Sequence, residues 1–588
     1  MKKIKTLFRK GFWRVVRDAV FSWLKSPAFY IYLFAVLIYL PWFLPYLSDI
    51  KPWDETYYVL RGKELIQGQI PALSQAPVVA AFYALIYLPF RNSPFWLVQT
   101  NSIGRFLLFS GLFLGVWQVG KSMKNYYQPL ILFGFLFLSP VLTSHFEYPA
   151  DPLFITFSAI AFSQVINYLE TKQIKQLGWS SFWLGVAMLT RGDALIISLP
   201  FFIVTIAAGW RSHKWWRLAL AAIVPFLAVT AGYVLARGVI TGDFNTHMAE
   251  YSYAVFEQGQ EADLPGGEQR FANPTESYYV ARERFGTPEE NNYSMFTAIL
   301  RNPDAYLARV KSVITWIPGL YLNAYFRRYT PLITLLALRG LVELIHKKKY
   351  SLAAVHLIWI LPIGTGVIRT LYRVGYFRMF VFVIFSLAAL GLKTLLNDLK
   401  RSRWWVLAWS LLFATVMVLA YFTGESGIQF AMMVCLGWII LAFLLSRQAR
   451  QFPNWQSMAM LLLLAVGFML KTDYLIYEPR QLGDDYREQA SLTLRDVTEP
   501  GSYVLTGTPS VVLMANREVA NFSSRDIPEF SSSEDFIDWM RVQDFIAIYL
   551  DREAPQILWD LVSEQQDVSL TLIWSDEEND AYIYLLDQ

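Results

Sequence analysis

Two adjacent carboxylates, Asp54 and Glu55, stand in the stretch KPWDETYYVLRGKELIQGQIP (residues 51–71), directly after the first long apolar run. A carboxylate held where a membrane segment meets water can take a proton from an attacking hydroxyl, and it can equally cap a helix. If Asp54 opens a helix running to about Gln67, Tyr58, Arg61 and Leu65 follow at offsets of four, seven and eleven and share its face. A carboxylate and a guanidinium then look into one space. A second acidic corner, HFEYPADP, supplies His145, Glu147 and Asp151 between two later apolar runs. Asp151 before Pro152 is also an ordinary helix start. With five histidines in the chain and no ligand pair at helical spacing, zinc is disfavoured. A single magnesium or manganese ion held mainly by substrate phosphate stays open. The third cluster, IRTLYRVGYFRMF (residues 368–380), sets Arg369, Arg373 and Arg378 around Tyr372 and Tyr376. Such arginines either snorkel to lipid headgroups or clamp a phosphate bidentately.

Positioning these groups falls to membrane helices. Of 588 residues 55% are hydrophobic and 17% charged, and apolar runs of about 18 to 20 residues recur, the length that crosses the hydrocarbon core as helix. The chain reads as a polytopic α-helical membrane protein. Its net charge of +4 comes from basic residues gathered in particular loops, which reports topology rather than nucleic-acid binding. The single cysteine, Cys435, lies in an apolar run and rules out an internal disulfide.

Residues 1–26 interleave lysines and arginines with Leu7, Phe8, Phe12 and Trp13, the pattern of an amphipathic helix on the cytoplasmic leaflet. The first span, about residues 28–47, then carries Asp54 and Glu55 to the outer side. Residues 77–90 are too short to cross and read as interfacial. Spans follow near residues 102–120, 130–143 and 153–169. Residues 178–209 make a hairpin whose turn holds Arg191, Gly192 and Asp193, either an ion pair or part of a polar cavity. A span near 218–236 leads into a polar loop, 238–309, ending in an interfacial helix that starts at Asn302 and Pro303. Six more spans, near 331–345, 351–368, 377–396, 406–422, 428–445 and 458–474, bring the total to about thirteen. An odd number sets the termini on opposite faces.

The expected division is therefore a cytoplasmic segment (1–26), a membrane domain (27–476) with outer loops 48–101 and 238–329, and a small soluble α/β or α+β domain (477–588) on the outer side. In the last, period-two patterns predict strands at 502–505, 511–514, 545–550, 570–574 and 581–586, and helices near 534–541 and 554–564.

Taken in order, these features resemble the polyprenyl-phosphate-sugar-dependent glycosyltransferases of the GT-C fold, the group that includes protein O-mannosyltransferases and lipid A aminoarabinose transferases. The resemblance rests on WDETYYVLRGKEL after the first span, the interfacial QAPVVAAFYALIYLPF, Arg105 in SIGRFLLFSGLF, Asp151 in YPADPLFITF, and LGVAMLTRGDALIISLPFF. It implies a bacterial plasma-membrane enzyme with a cytoplasmic amino terminus, moving a sugar from a polyprenyl phosphate to an acceptor hydroxyl of a lipid, glycan or protein. It further implies that Asp54 is the general base. Glu55, Glu147 and Asp151 would orient the acceptor or bind a metal, and Arg61, Arg369, Arg373 and Arg378 would hold the donor phosphate. Where the family often has Arg-Tyr followed by prolines, this chain has Phe377, Arg378, Met379 and Phe380. The residues alone also accommodate a flippase for a lipid-linked or anionic solute, with Arg191 and Asp193 in its path, or a non-catalytic assembly subunit.

Overall fold

The computed structural model describes residues 24, 29–30, 32–33, 36–37, 54–93, 95–124, 148–209, 215–259, 281–322, 331–361, 379–401, 486–521, 530, 532–552, 554, 556–565 and 569–587. The expected spans at 130–143, 406–422, 428–445 and 458–474 lie outside the described residues. So do His145, Glu147, Arg369, Arg373 and Arg378.

After the first apolar run come α1 (Asp54–Ile66), α2 (Pro77–Tyr87) and α3 (Trp96–Ser122). At 11 residues, α2 is about 16 Å long, half the hydrocarbon thickness, so it cannot cross. Pro77 opens it, where the missing N–H has no helical partner to lose. Two glycines let the three helices lie against one another. A Cβ on Gly62 of α1 would sit 2.7 Å from the α2 backbone, and one on Gly104 of α3 would sit 2.6 Å from the Tyr83 ring of α2. Tyr32, in the described part of the first apolar run, sets its ring at a tilt against Phe109 and Phe113 and shares a 2.7 Å hydrogen bond with Ser110 of α3.

Next are α4 (Ala150–Thr171), α5 (Ile174–Met188), α6 (Ala194–Gly209) and α7 (Trp215–Thr241). Among the described residues α3, α4 and α7 are long and apolar enough to cross a membrane. Gly111 of α3 faces Thr156 of α4, and Gly115 faces Thr156 and Ala159. The two helices therefore run side by side in the same direction. Residues 178–209 do form two arms about the Arg191 turn. Proline inside α7 is accommodated by its neighbour: Ser181 of α5 donates to the Ala222 carbonyl and accepts the Phe226 N–H at 3.2 Å. The hydroxyl thus enters the backbone ladder beside Pro225, which has no N–H to give.

The polar loop contains α8 (Met248–Gly259) and α9 (Met295–Arg301), closed over Tyr253, Phe256, Phe285 and Ala298, and runs into α10 (Pro303–Leu322). Arg309 is buried there and donates to the Gly259 carbonyl at 2.9 Å. Then come α11 (Pro331–His346), α12 (Tyr350–Ile360) and α13 (Val381–Arg401). α11 and α13 meet backbone to backbone. A Cβ on Gly340 would lie 2.0 Å from the Leu387 carbonyl oxygen, and one on Gly391 1.8 Å from that of Leu336.

The C-terminal region is a five-stranded sheet of β1 (Tyr503–Thr506), β2 (Glu518–Asn521), β3 (Phe545–Leu550), β4 (Leu570–Asp576) and β5 (Ala581–Leu586), in the order β2-β1-β3-β5-β4. The first three strands pair in parallel and the last two join antiparallel. Helices α14 (Tyr486–Val497) and α15 (Pro509–Met514) cover one face, packing Leu494, Val511 and Val512 on Val504, Ala547 and Ile583. Helices α16 (Ser533–Val542) and α17 (Gln556–Gln565) cover the other, through Phe536, Ile537, Leu558 and Val562. The strand expected at 511–514 is thus the helix α15. Pro509 stands in its first turn, and a four-residue apolar run carries no period that separates strand from buried helix. The true second strand is Glu518–Asn521, whose sequence EVAN offers only one β-branched residue.

Candidate active site

α1 opens at Asp54; that side chain is not among those described. Its neighbour Glu55 is fully buried, and both of its carboxylate oxygens accept from Arg105 of α3, from Nε at 2.7 Å and from Nη2 at 2.8 Å. This fork-to-fork pairing fixes direction as well as distance. It ties the start of α1 to the upper part of a membrane-crossing helix. Around the pair lie polar atoms with no hydrogen-bond partner among the described residues: the Tyr83 hydroxyl, the Thr100 hydroxyl and both ends of the Asn101 amide. Asn101 sits one turn before Arg105 on the same helix face.

Farther along α1, the Arg61 guanidinium lies 4.7 Å from the centre of the Tyr57 ring and donates to Glu64 at 2.7 Å. Burial works against its charge, and Tyr57 and Glu64 more than offset it, so its pKa is raised. Its Nε is buried without a hydrogen-bond partner among the described residues.

Asp151 occupies the first turn of α4, is buried, and accepts from Arg191 in the α5–α6 turn. Arg191 also donates through Nε to Asp193 at 2.9 Å. Of the two readings left open by the sequence, the structure gives the ion pair, extended to a third residue. Because α3 and α4 run together with Thr156 opposite Gly111 and Gly115, Asp151, five residues earlier, stands about 7.5 Å up the axis and level with about residues 106–110 of α3. The Glu55–Arg105 and Asp151–Arg191 pairs therefore lie at similar depth, at one end of the bundle. The same end is laced by backbone. Val78 of α2 donates to the Leu189 carbonyl at 3.1 Å, Ser74 to that of Thr246 at 3.2 Å, and the Tyr233 hydroxyl to that of Pro71 at 2.6 Å.

The C-terminal region also reaches this end. Leu513 of α15, 1% exposed, belongs to the same apolar cluster as α1, α2 and α3, with Met514 against it. Lys63 of α1 lies 5.5 Å from the Trp96 ring of α3 and pairs with Glu518 of β2 at 3.4 Å.

Two acid–arginine pairs escaped the sequence reading as pairs. Arg105 was visible as a charge at the start of an apolar run, which ordinarily has a reason, but nothing in the spacing named Glu55 as its partner. Among the described residues no three His, Cys, Asp or Glu side chains gather closely enough to hold a metal ion.

A bundle of apolar helices with charged pairs gathered at one end, and with short helices and a small sheet joined to it there, is an arrangement this chain shares with solved structures of the GT-C fold. The solved structures it matches include ArnT from Cupriavidus metallidurans bound to undecaprenyl phosphate, with a TM-score of 0.54 and 12% identity over 95% of this chain and 98% of that one. The apo state of the same protein aligns with a TM-score of 0.53 and 12% identity, over 95% of this chain and 97% of that one. An oligosaccharyltransferase of Archaeoglobus fulgidus in complex with Zn and sulfate aligns at 0.47, with 13% identity over 96% of this chain and 73% of that one. No protein-family model matches the chain, and no curated protein matches it in sequence.

Proposed function

We propose that this protein is a membrane glycosyltransferase that moves a sugar from a polyprenyl-phosphate donor to an acceptor hydroxyl on the outer face of the plasma membrane. The observation that carries the reading is the likeness in fold, along almost the whole of both chains, to ArnT, solved with undecaprenyl phosphate bound. Two local features support it: acid–arginine pairs with buried carboxylates at similar depth, and an arginine on α1, Arg61, whose charge Tyr57 and Glu64 favour.

In the proposed reaction the Asp54 carboxylate removes the proton of the acceptor hydroxyl. The hydroxyl oxygen attacks the anomeric carbon from the side opposite the phosphate. The bond between that carbon and the phosphate oxygen breaks, and its electron pair leaves with the polyprenyl phosphate, so the anomeric centre inverts. Arg61 would meet the charge that appears on the leaving phosphate, with Arg369, Arg373 and Arg378 as further phosphate contacts. Glu55, with both oxygens on Arg105, would set the position of α1 and so of Asp54, rather than take a proton itself. Asp151 would orient the acceptor edge of the site through Arg191, and Glu147 is its proposed companion. The isoprenoid tail would lie among the membrane helices. A divalent ion would be carried in with the donor phosphate if one is used.

The test is turnover in proteoliposomes supplied with radiolabelled polyprenyl-phosphate sugars and candidate hydroxyl acceptors, with and without chelator. Release of polyprenyl phosphate with label appearing on the acceptor is the expected result. Label that crosses the bilayer still attached to its lipid would instead make the protein a flippase.

A further inference from the structure

α1 has 13 residues, a length at which an isolated helix is marginal in water. It needs holding. Near its start the Glu55–Arg105 fork attaches it to α3, and in its middle Gly62 lets it lie on α2. Its last turn is held differently. Lys63, eight residues or about 12 Å along the axis from Glu55, sits between the Trp96 ring of α3 and the Glu518 carboxylate of β2. Beside it, α15 offers two faces: Val511 and Val512 pack into the C-terminal domain's own core, while Leu513 packs into the cluster that contains Val59 of α1 and Val79 and Tyr83 of α2. Met514 touches both clusters. Glu518 begins β2, an edge strand of the sheet, and a charge there meeting a lysine of another domain directs that edge to one partner.

We propose that the C-terminal domain is a working part of the site, with Leu513 and Glu518 as positioning residues that hold α1, and with it Arg61 and Asp54, against α2 and α3. For its catalytic consequence this rests on the reading of Arg61 and Asp54 given above; the seat itself does not. The domain fixes the far end of the helix that the Glu55–Arg105 fork fixes near its start. Loss of the seat lets α1 pivot about the fork, which displaces Arg61, near the freed end, more than Asp54, which stands beside the fork. Turnover falls, and the KM for donor rises as the Arg61 contact to its phosphate is lost.

The experiment uses the full chain in proteoliposomes with two readouts, hydrogen exchange of residues 54–66 and steady-state turnover. Leu513→Ala is expected to speed exchange in the last turns of α1 by about tenfold or more, with Leu513→Met close to wild type. Glu518→Lys and Lys63→Glu should each lower kcat, and the double reversal should restore it. A Lys63→Cys, Glu518→Cys pair in a Cys435→Ser background, bridged by a bis-maleimide, should turn over faster than its unbridged form. Unchanged exchange in Leu513→Ala, or a bridged protein that is inactive while its unbridged form works, would overturn the proposal. Faster exchange in Leu513→Ala together with an Asp54→Asn variant of full activity would leave the seat standing and remove only the base.

Discussion

The Glu55 carboxylate sits in a fully buried position where one guanidinium donates to both of its oxygens. Removing one partner of a buried ion pair typically costs about 3–5 kcal/mol, whereas replacing both with apolar residues of similar volume is often neutral. Arg105→Leu is therefore expected to lower thermal stability in detergent sharply, and Glu55→Leu with Arg105→Leu to recover most of it while impairing turnover. A double variant no more stable than Arg105→Leu would count against the pair. Both residues were conspicuous in the sequence, yet they stand 50 positions apart, as Asp151 and Arg191 stand 40 apart. Spacing rules join residues three or four apart on one helix and say nothing across helices. Residue types at this site were legible, and their partners were not.

At the scale of elements, the apolar runs near 102–120, 153–169 and 218–236 fall on helices of spanning length, because a bilayer imposes a length that composition reveals. The crossings carry more information than the runs. Gly340 and Gly391 allow α11 and α13 to meet at distances where any Cβ would overlap a carbonyl oxygen, 2.0 and 1.8 Å, the small-residue contact by which membrane helices approach closely. Gly340→Ala or Gly391→Ala should force the pair apart and lower the midpoint of thermal unfolding, whereas Gly232→Ala, which meets nothing within 4 Å, should leave it unchanged. An unchanged midpoint in all three would mean that the contact is not needed. Residues 511–514 show the opposite limit. Buried on every side, α15 has no polar face to mark its period, so its helical nature and its part in the seat on α1 emerge only in three dimensions.

The molecule as a whole joins two media, and its C-terminal sheet answers to water chemistry. Burial, with Asp551 beside it, pushes the Tyr549 hydroxyl far above the usual tyrosine range. Above about pH 10, where an exposed tyrosine ionises, the unfolded chain gives up a proton that the folded domain keeps. Stability then falls as pH rises, by at most about 1.4 kcal/mol per unit from this one group. Hydrogen exchange of the sheet, followed from pH 7 to 11, should show it loosening at the upper end, with less pH dependence in Tyr549→Phe. Equal loosening in both proteins would assign the effect elsewhere. The central claim concerns the boundary between the two, where a carboxylate at the start of α1 is proposed to activate an acceptor hydroxyl. Its most direct measurement is a single turnover of pre-bound polyprenyl-phosphate sugar in proteoliposomes, comparing wild type with Asp54→Asn at equal donor occupancy. The account predicts unchanged donor binding and transfer slowed by about 10²- to 10⁴-fold. Transfer at the wild-type rate in Asp54→Asn would contradict it.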